Sequence, residues 1–211
     1  MQFQPQRRHR RSIRLQEYDY TKAGAYFLTV CTYNRECLFG NVMDGEMHLN
    51  QWGDVVRNEW FRTSVLKPYV QLDALIVMPN HMHGVIWIRG EGTARRASTI
   101  GRFGASITGS LATIVGAFKS ACTRRINEIR NTPNLPVWQR NYFEHVIRDE
   151  AQLRRIREYI ACNPLRWAED VNNPECKLDV RPKSEFDEIC VGARRAVPSG
   201  LRLSKSTTTR E

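Results

Sequence analysis

Apolar and polar positions recur along the chain with two different periods, which predict its helices and strands. From Trp52 to Leu66 the apolar residues lie three and four positions apart, the spacing of an amphipathic helix. The same period extends from Ser110 to Ile129, and Asp149 is the N-cap of a third predicted helix that ends near Cys162. Runs rich in β-branched and aromatic residues predict strands at 25–33, 70–78 and 82–88, a hairpin over 37–50 that turns at Asp44-Gly45, and a loop followed by a strand over 138–147.

This order of elements predicts an α+β fold, in which helices pack on one face of an antiparallel sheet. The 211 residues suit one domain, placed at 20–170. A segment rich in glycine and arginine, 89–110, interrupts the pattern as a long loop or insertion. We expect a basic arm at 1–19 and a C-terminal extension at 171–211, which should be flexible from about residue 192.

The charge of the chain points to a polyanionic partner. The net charge is +10, and 26 of the 32 basic residues are arginines, whose planar fork pairs with phosphate oxygens. Residues 1–14 carry +5 without an acid, and 89–105 and 193–211 are also basic, so the remainder is close to neutral. The simplest partner is nucleic acid, although a basic composition can also serve only solubility.

Other classes of protein are disfavoured. No apolar run approaches the roughly 18 residues of a membrane helix, and the first residues lack the apolar stretch of a secretory signal. The six cysteines contain no C-x-x-C pair and no zinc-finger spacing, so they are expected to be reduced thiols. We expect a soluble cytoplasmic protein without a membrane partner.

Two histidines at the start of a predicted strand form half of a candidate metal site. His81 and His83 are two positions apart, so their imidazoles project from one face of the strand while Met82 points into the core. Two neutral imidazoles on a rigid face can bind a metal ion. The alternative is a pair of polar residues on a solvated strand.

The predicted helix that ends near Cys162 carries the second half. Tyr159 and Asn163 are four residues apart and therefore share a helix face. An asparagine oxygen can bind a hard cation, and a tyrosine hydroxyl can act as a nucleophile. Alternatively, Tyr159 is a core aromatic and Asn163 only ends the helix before Pro164.

Three segments together resemble a known family, the REP-associated tyrosine transposases. They are a bacterial branch of the single-tyrosine HUH transposases, in which HUH denotes His-hydrophobe-His. The resemblance covers residues from about 20 to 170 and includes the opening strand, and it rests on the order of the motifs MPNHMHGVIWI (78–88), FKSACTRRINEI (118–129) and WQRNYFEHVIRDEAQLRRIREYIACNPLRW (138–167).

The resemblance implies both a fold and a chemistry. The fold would be ferredoxin-like, with the tyrosine helix against the sheet beneath the histidines. His81, His83 and Asn163 would bind a divalent ion, Mg²⁺ or Mn²⁺, and Tyr159 would be the nucleophile. The activity would be cleavage and transfer of single-stranded or hairpin DNA from repetitive elements, through a 5′-phosphotyrosine. The protein would be bacterial, cytoplasmic and associated with the nucleoid, as a monomer or a homodimer.

Basic and aromatic residues around these motifs are candidates for DNA contact. The arginines could be only a solvated face, but beside a single-strand nuclease site phosphate contact is favoured. The aromatics could stack on bases or belong to the core. The candidates are Arg124, Arg125, Trp138, Arg140, Tyr142, Arg154 and Arg155.

Two other functions are open to the same sequence. One is a non-catalytic DNA-hairpin binder that keeps the fold, although a binder needs neither the histidine pair nor the tyrosine. The other is a metallohydrolase with a water nucleophile, which lacks an obvious base other than Glu144 or Glu158.

Overall fold

The computed structural model describes residues 23–89, 109–170 and 172–176. The basic arm, most of the insertion and the chain beyond 176 lie outside these described residues, and so does the expected flexibility of the C-terminal extension. Within the described ranges there are six strands and three α-helices. In chain order they are β1 (Gly24–Cys31), β2 (Gly40–Met43), β3 (Glu46–Leu49), α1 (Gln51–Leu66), β4 (Val70–Met78), β5 (His81–Ile88), α2 (Leu111–Ile129), β6 (Phe143–Ile147) and α3 (Glu150–Cys162).

Four of the strands form the central sheet, in the order β4-β5-β1-β6. All three pairings in this sheet are antiparallel. With α1 after β1 and α2 after β5, the chain follows the βαββαβ path of a ferredoxin-like fold. Strands β2 and β3 form a separate hairpin between β1 and α1. The predicted α+β class with an antiparallel sheet is therefore confirmed.

The two faces of the sheet bury different side chains. Tyr26 and Leu28 of β1 and Met82 of β5 pack against α1 and α2 in the larger core cluster. Phe27 of β1 and Val85 of β5 point the other way and pack against α3. The expectation of helices on one face holds for α1 and α2, whereas α3 covers the opposite face. Because odd-numbered residues of β5 face α3, the histidine pair lies beneath that helix.

Local interactions explain why α3 begins and ends where the sequence predicts. The Asp149 carboxylate accepts a hydrogen bond of 2.7 Å from the Gln152 amide, which caps the helix N-terminus as expected. At the other end Asn163 is the C-cap, and Pro164 begins a short 3-10 helix, Pro164–Glu169. This 3-10 helix returns the chain toward the sheet and positions the residues that follow it.

Other elements are shorter than predicted. Strand β1 ends at Cys31, and Tyr33–Arg35 is a 3-10 turn with Asn34 at a φ of 52°. The predicted hairpin is present, with φ of 52° at Asp44 and 77° at Gly45, as a tight two-residue turn requires. None of the helices in the described ranges is long and apolar enough to cross a membrane.

Met82 offers a test of the strand orientation. It lies between the two histidines in sequence, but its side chain is fully buried in the core on the opposite face of the sheet. We expect Met82→Ala to lower the free energy of unfolding by about 2–5 kcal/mol, through lost apolar burial and the cavity left behind. Chemical denaturation measures this change. A loss below about 1 kcal/mol would indicate that the core collapses around the site or that Met82 is not buried.

Candidate active site

His81 and His83 lie side by side on β5 and are both fully buried. Their Nε2 atoms are 3.1 Å apart. Each histidine pairs with a residue near the end of β1, His81 with Cys31 and His83 with Thr29. The pair is therefore held at the centre of the sheet, not on a solvated strand face as the alternative interpretation required.

The hydrogen bonds of Asn80 determine the tautomer of His81. The Asn80 Nδ2 donates to the carbonyls of Arg35 and Asn172, at 3.1 and 2.7 Å, which fixes the orientation of its amide. Its Oδ1 therefore faces His81 Nδ1, at 2.8 Å. An oxygen acceptor at that distance requires the proton on Nδ1, so the Nε2 lone pair of neutral His81 points into the site.

His83 is oriented by its neighbours on β1. Its Nδ1 lies 2.9 Å from the Thr29 hydroxyl, and its ring stacks on Phe27 with centroids 5.3 Å apart. These contacts direct Nε2 toward His81 and Tyr159. A bonded Nδ1 with a converging Nε2 is the usual arrangement of a metal-binding histidine.

Both imidazoles are neutral at physiological pH. Burial, with a smaller contribution from the nearby Arg35, lowers the pKa of His81 to about 3. Burial and the neighbouring His81 lower the pKa of His83 well below its ordinary value. A neutral imidazole is the form that binds a metal ion, so neither ring needs to lose a proton first.

Tyr159 brings its hydroxyl to the histidine pair from α3. The hydroxyl oxygen is 3.2 Å from His83 Nε2. Its ring lies edge-on to Phe27, with centroids 6.2 Å apart, and 5.2 Å from the ring of His83. The side chain is half-buried, so the hydroxyl reaches the histidines while part of the residue remains accessible from outside.

Asn163, one turn beyond Tyr159, is only 2% exposed. Its Oδ1 is buried and has no hydrogen-bond partner among the described residues. A buried amide oxygen without a partner is costly, and such an atom calls for a ligand or a water. This observation is what a third metal ligand at Asn163 would produce.

Asp170 is a site residue that sequence reasoning missed. One carboxylate oxygen lies 3.8 Å from His81 Nε2, and potential ligand atoms of Asp170, His81 and His83 all lie within 4.8 Å of one another. The other oxygen accepts from the Asn172 amide at 2.6 Å. Burial raises the pKa of this carboxyl, since its side chain is only 6% exposed.

These residues fit a divalent cation. The ring nitrogens of His81 and His83 and a carboxylate oxygen of Asp170 lie within 4.8 Å of one another, and the buried Oδ1 of Asn163 has no partner among the described residues. A cation would satisfy the asparagine oxygen and offset the cost of burying the carboxylate. The donor set of two nitrogens and two oxygens suits Mn²⁺ or Mg²⁺ as well as other divalent ions, so it does not by itself select the metal.

Comparison with known proteins shows which other chains this one is similar to. No family profile matches the chain. A Haemophilus influenzae protein without an assigned function is 40% identical over 169 residues, which are 77% of this chain and 92% of that protein. The Escherichia coli REP-associated tyrosine transposase is 26% identical over 156 residues, 73% and 75% of the two chains. Over about three quarters of its length the chain is therefore similar to REP-associated tyrosine transposases.

A solved structure of a REP-associated tyrosine transposase bound to a REP hairpin is also similar. It is 20% identical, and the match covers 72% of this chain and 74% of that chain with a TM-score of 0.48.

The arginines predicted to contact DNA occupy two separate surfaces. Arg154 and Arg155 are exposed on α3, the helix that carries Tyr159. Arg124 and Arg140 line an open groove of about 750 Å³ between α2 and the segment that precedes β6. Arg125 instead forms an ion pair of 3.0 Å with the buried carboxylate of Glu59 on α1. That contact gives Arg125 a structural partner, and the other four remain candidates for phosphate contact.

The predicted stacking role of Trp138 is not supported. Its side chain is only 6% exposed and packs against Phe39 and Phe118, at centroid distances of 5.1 and 6.0 Å. The ring is therefore mostly buried in the core at the edge of the groove, which favours the core interpretation over base stacking. Tyr142 is half-buried against the same core, so its role in base stacking stays a prediction.

Proposed function

We propose that this protein is a metal-dependent endonuclease and strand-transferase of single-stranded DNA, acting on hairpin-forming repeats. The observation that carries the proposal is the position of the Tyr159 hydroxyl, 3.2 Å from a buried histidine of a metal-binding geometry. A tyrosine at that position can attack a phosphodiester whose oxygens lie beside the metal. A protein that only binds DNA would need neither feature.

His81 and His83 would bind the ion, together with Asn163 and Asp170. When bound, the ion would supply positive charge to the phosphoryl oxygens as negative charge develops there. Residues of the chain preorganise the two histidine ligands, because Asn80 and Thr29 orient the imidazoles through their Nδ1 atoms. Such support keeps ligands in place before the substrate arrives.

The proposed reaction exchanges one phosphodiester for another. The Tyr159 oxygen bonds to phosphorus and the bond from phosphorus to the 3′ oxygen breaks, leaving a 5′-phosphotyrosine and a 3′-hydroxyl. The proton that the phenol loses is balanced by the proton that the 3′ oxygen gains. Because the phosphotyrosine retains the energy of the original bond, a 3′-hydroxyl can reverse the step and rejoin a strand without ATP.

A covalent adduct is the decisive product to look for. The protein would be incubated with labelled single-stranded hairpin DNA and Mg²⁺ or Mn²⁺, then run on a denaturing gel. Label that migrates with the protein supports the proposal. Cleavage without adduct would indicate a water nucleophile, and binding without cleavage would indicate a hairpin binder, and either result contradicts the proposal.

Binding should fall steeply with salt, because arginines that contact phosphates displace condensed counterions. We expect deletion of residues 1–14, which carry +5, to reduce the slope of log affinity against log salt concentration. Fluorescence anisotropy with hairpin DNA at several salt concentrations measures that slope. An unchanged slope would show that the basic arm does not contact DNA.

A further inference from the structure

Asp73, on the edge strand β4, receives four hydrogen bonds. Its Oδ1 accepts from the Ala74 amide and from Arg157 Nε, both at 2.8 Å. Its Oδ2 accepts from Arg157 Nη2 at 2.7 Å and from Trp87 Nε1 at 3.2 Å. Hydrogen bonds from Arg157 hold the pKa of this carboxyl below its ordinary value. The carboxylate is thus fully used by the protein and joins β4, β5 and α3.

A β-bulge directs Asp73 to this place. Between Leu72 and Leu75 the register of β4 against β5 shifts, so β4 carries one extra residue there. Beyond the shift the alternation of faces is inverted: Leu72 and Leu75 both contact the core of α1 and α2, while Ala74 contacts that of α3. Bulges commonly re-aim a side chain, and here Asp73 also binds the amide that follows it in the bulge.

Arg157 and Tyr159 lie on opposite flanks of the buried stripe of α3. The centre of that stripe is formed by Ile156 and Ile160, which are fully buried. At 100° per residue, Arg157 and Tyr159 are separated by about 160°, measured around the helix on the side that contains the stripe. Arg157 therefore ties one flank of the helix to β4, and Tyr159 reaches the histidines from the other.

We propose that the Asp73–Arg157 pair is a positioning device, which fixes the rotation of α3 and thereby the distance of the Tyr159 hydroxyl from the metal-binding residues. A tyrosine hydroxyl lies roughly 9 Å from its helix axis, so a rotation of about 10° displaces it by about 1.5 Å. Misplacement on that scale can slow a reaction by about a hundredfold. The proposal rests on the proposed function, in which Tyr159 is the nucleophile.

The geometry favours this role over a contribution to stability or a contact with DNA. The Arg157 side chain is 43% exposed, and ion pairs of such exposure contribute little to global stability. Two guanidinium nitrogens are already bound side by side to one carboxylate, an arrangement that fixes direction as well as distance. A phosphate contact would have to compete with that carboxylate.

The test compares Asp73→Asn and Arg157→Gln with Glu150→Gln as the matched control. Glu150, on the first turn of α3, is the other ion-pair partner of Arg157, at 3.5 Å, and is exposed. The side-chain amide introduced by Asp73→Asn keeps an oxygen for the Ala74 amide, so the bulge should remain. Adduct formation with hairpin DNA and Mn²⁺ would be measured against DNA concentration, together with DNA affinity and the thermal midpoint.

We expect Asp73→Asn and Arg157→Gln each to lower kcat by about 10- to 100-fold with KM and the thermal midpoint nearly unchanged. Arg157→Lys, which keeps the charge but loses the fork, should recover only part of the rate. Glu150→Gln should behave as the parent. If kcat falls in Arg157→Gln but not in Asp73→Asn, Arg157 contacts DNA. If the thermal midpoint falls strongly, the pair is structural, and if both variants keep the parent's kcat, the pair has no role. Each of these results overturns the proposal.

A second readout does not depend on activity. With 3-fluorotyrosine incorporated throughout, the ¹⁹F resonance of Tyr159 is identified by its absence from the Tyr159→Phe variant. Asp73→Asn and Arg157→Gln should shift or broaden that resonance, and Glu150→Gln should not. If the parent protein forms no adduct, the proposed function fails, whereas an unmoved resonance in both variants refutes the positioning role itself.

Discussion

Replacing Tyr159 with phenylalanine should abolish the covalent DNA adduct, with a fall in rate of at least about a thousandfold. The variant removes only the hydroxyl, which is the proposed nucleophile, and a reaction without its nucleophile retains only what binding and charge contribute. The ring contacts with Phe27 and His83 remain available to phenylalanine. The fold should therefore survive, with a loss of about 0.5–1.5 kcal/mol for one hydrogen bond.

Tyr142→Phe is the matched control for this experiment. Tyr142 is also half-buried, but it packs against the core of α1 and α2 on the other face of the sheet from the histidines. We expect its variant to form the adduct at a rate close to that of the parent. If the adduct persists in Tyr159→Phe and disappears in Tyr142→Phe, the nucleophile has been assigned to the wrong tyrosine.

The spacing of residues along strands and helices predicted which candidate site residues share a face of the same element. The two-residue period of a strand places His81 and His83 on one face, and the structure brings their Nε2 atoms to 3.1 Å. The four-residue spacing on a helix places Asn163 one turn beyond Tyr159, and in the structure Asn163 is buried while the Tyr159 hydroxyl reaches His83. Ferredoxin-like topology followed only from the resemblance to a family, because spacing along the chain does not determine the order of strands in a sheet.

Contacts made by irregular segments could not be predicted. Asp170 reaches the histidines because the 3-10 helix after Pro164 turns the chain back, and no periodicity marks such a return. The tautomer of His81 depends on Asn80, whose amide is fixed by carbonyls at Arg35 and near the C-terminal end of the described chain. Each of these depends on residues that are distant in sequence and have no helical or strand pattern.

The burial of an aromatic residue in a polar segment also could not be predicted from the sequence. Trp138 stands in a segment that is rich in polar residues and arginine, a setting typical of an exposed stacking platform. In the structure it pairs by an isolated bridge with Thr32 and fills the core between Phe39 and Phe118. Its burial depends on how the loop before β6 crosses the end of β1, and only tertiary packing decides that crossing.

Removing either histidine should have the second large effect, on metal binding itself. We expect His81→Ala and His83→Ala to weaken Mn²⁺ affinity by at least about a hundredfold, since loss of even a supporting contact around a metal can cost tenfold to a hundredfold. Adduct formation should fall with it, while DNA held by arginines remains bound. Isothermal titration calorimetry with Mn²⁺ and anisotropy with hairpin DNA separate the two properties.

The two oxygen donors should differ in degree. Asn163→Ala should lower the Mn²⁺ affinity less than the histidine variants do, since water can replace a neutral oxygen ligand. Excess Mn²⁺ should then restore part of the activity. If the Asp170 carboxylate binds the ion, Asp170→Asn should lower the Mn²⁺ affinity more than Asn163→Ala does. It removes a negative charge from a site whose two histidines are neutral. Equal affinity in Asp170→Asn and the parent would limit the ligands to the histidines and Asn163.

Thermal unfolding with and without Mn²⁺ tests whether loss of metal binding accounts for the behaviour of the histidine variants. An ion present at a hundred times its Kd stabilises the native protein by about 2.7 kcal/mol, so Mn²⁺ should raise the midpoint of the parent and not that of the histidine variants. Without metal, each histidine variant should be less stable than the parent by an amount that Mn²⁺ does not change, since truncating a buried imidazole leaves a cavity and frees its hydrogen-bond partner. Normal cleavage by His81→Ala, or cleavage that persists in EDTA, would show that the pair is structural and would remove the basis of the metal-dependent mechanism.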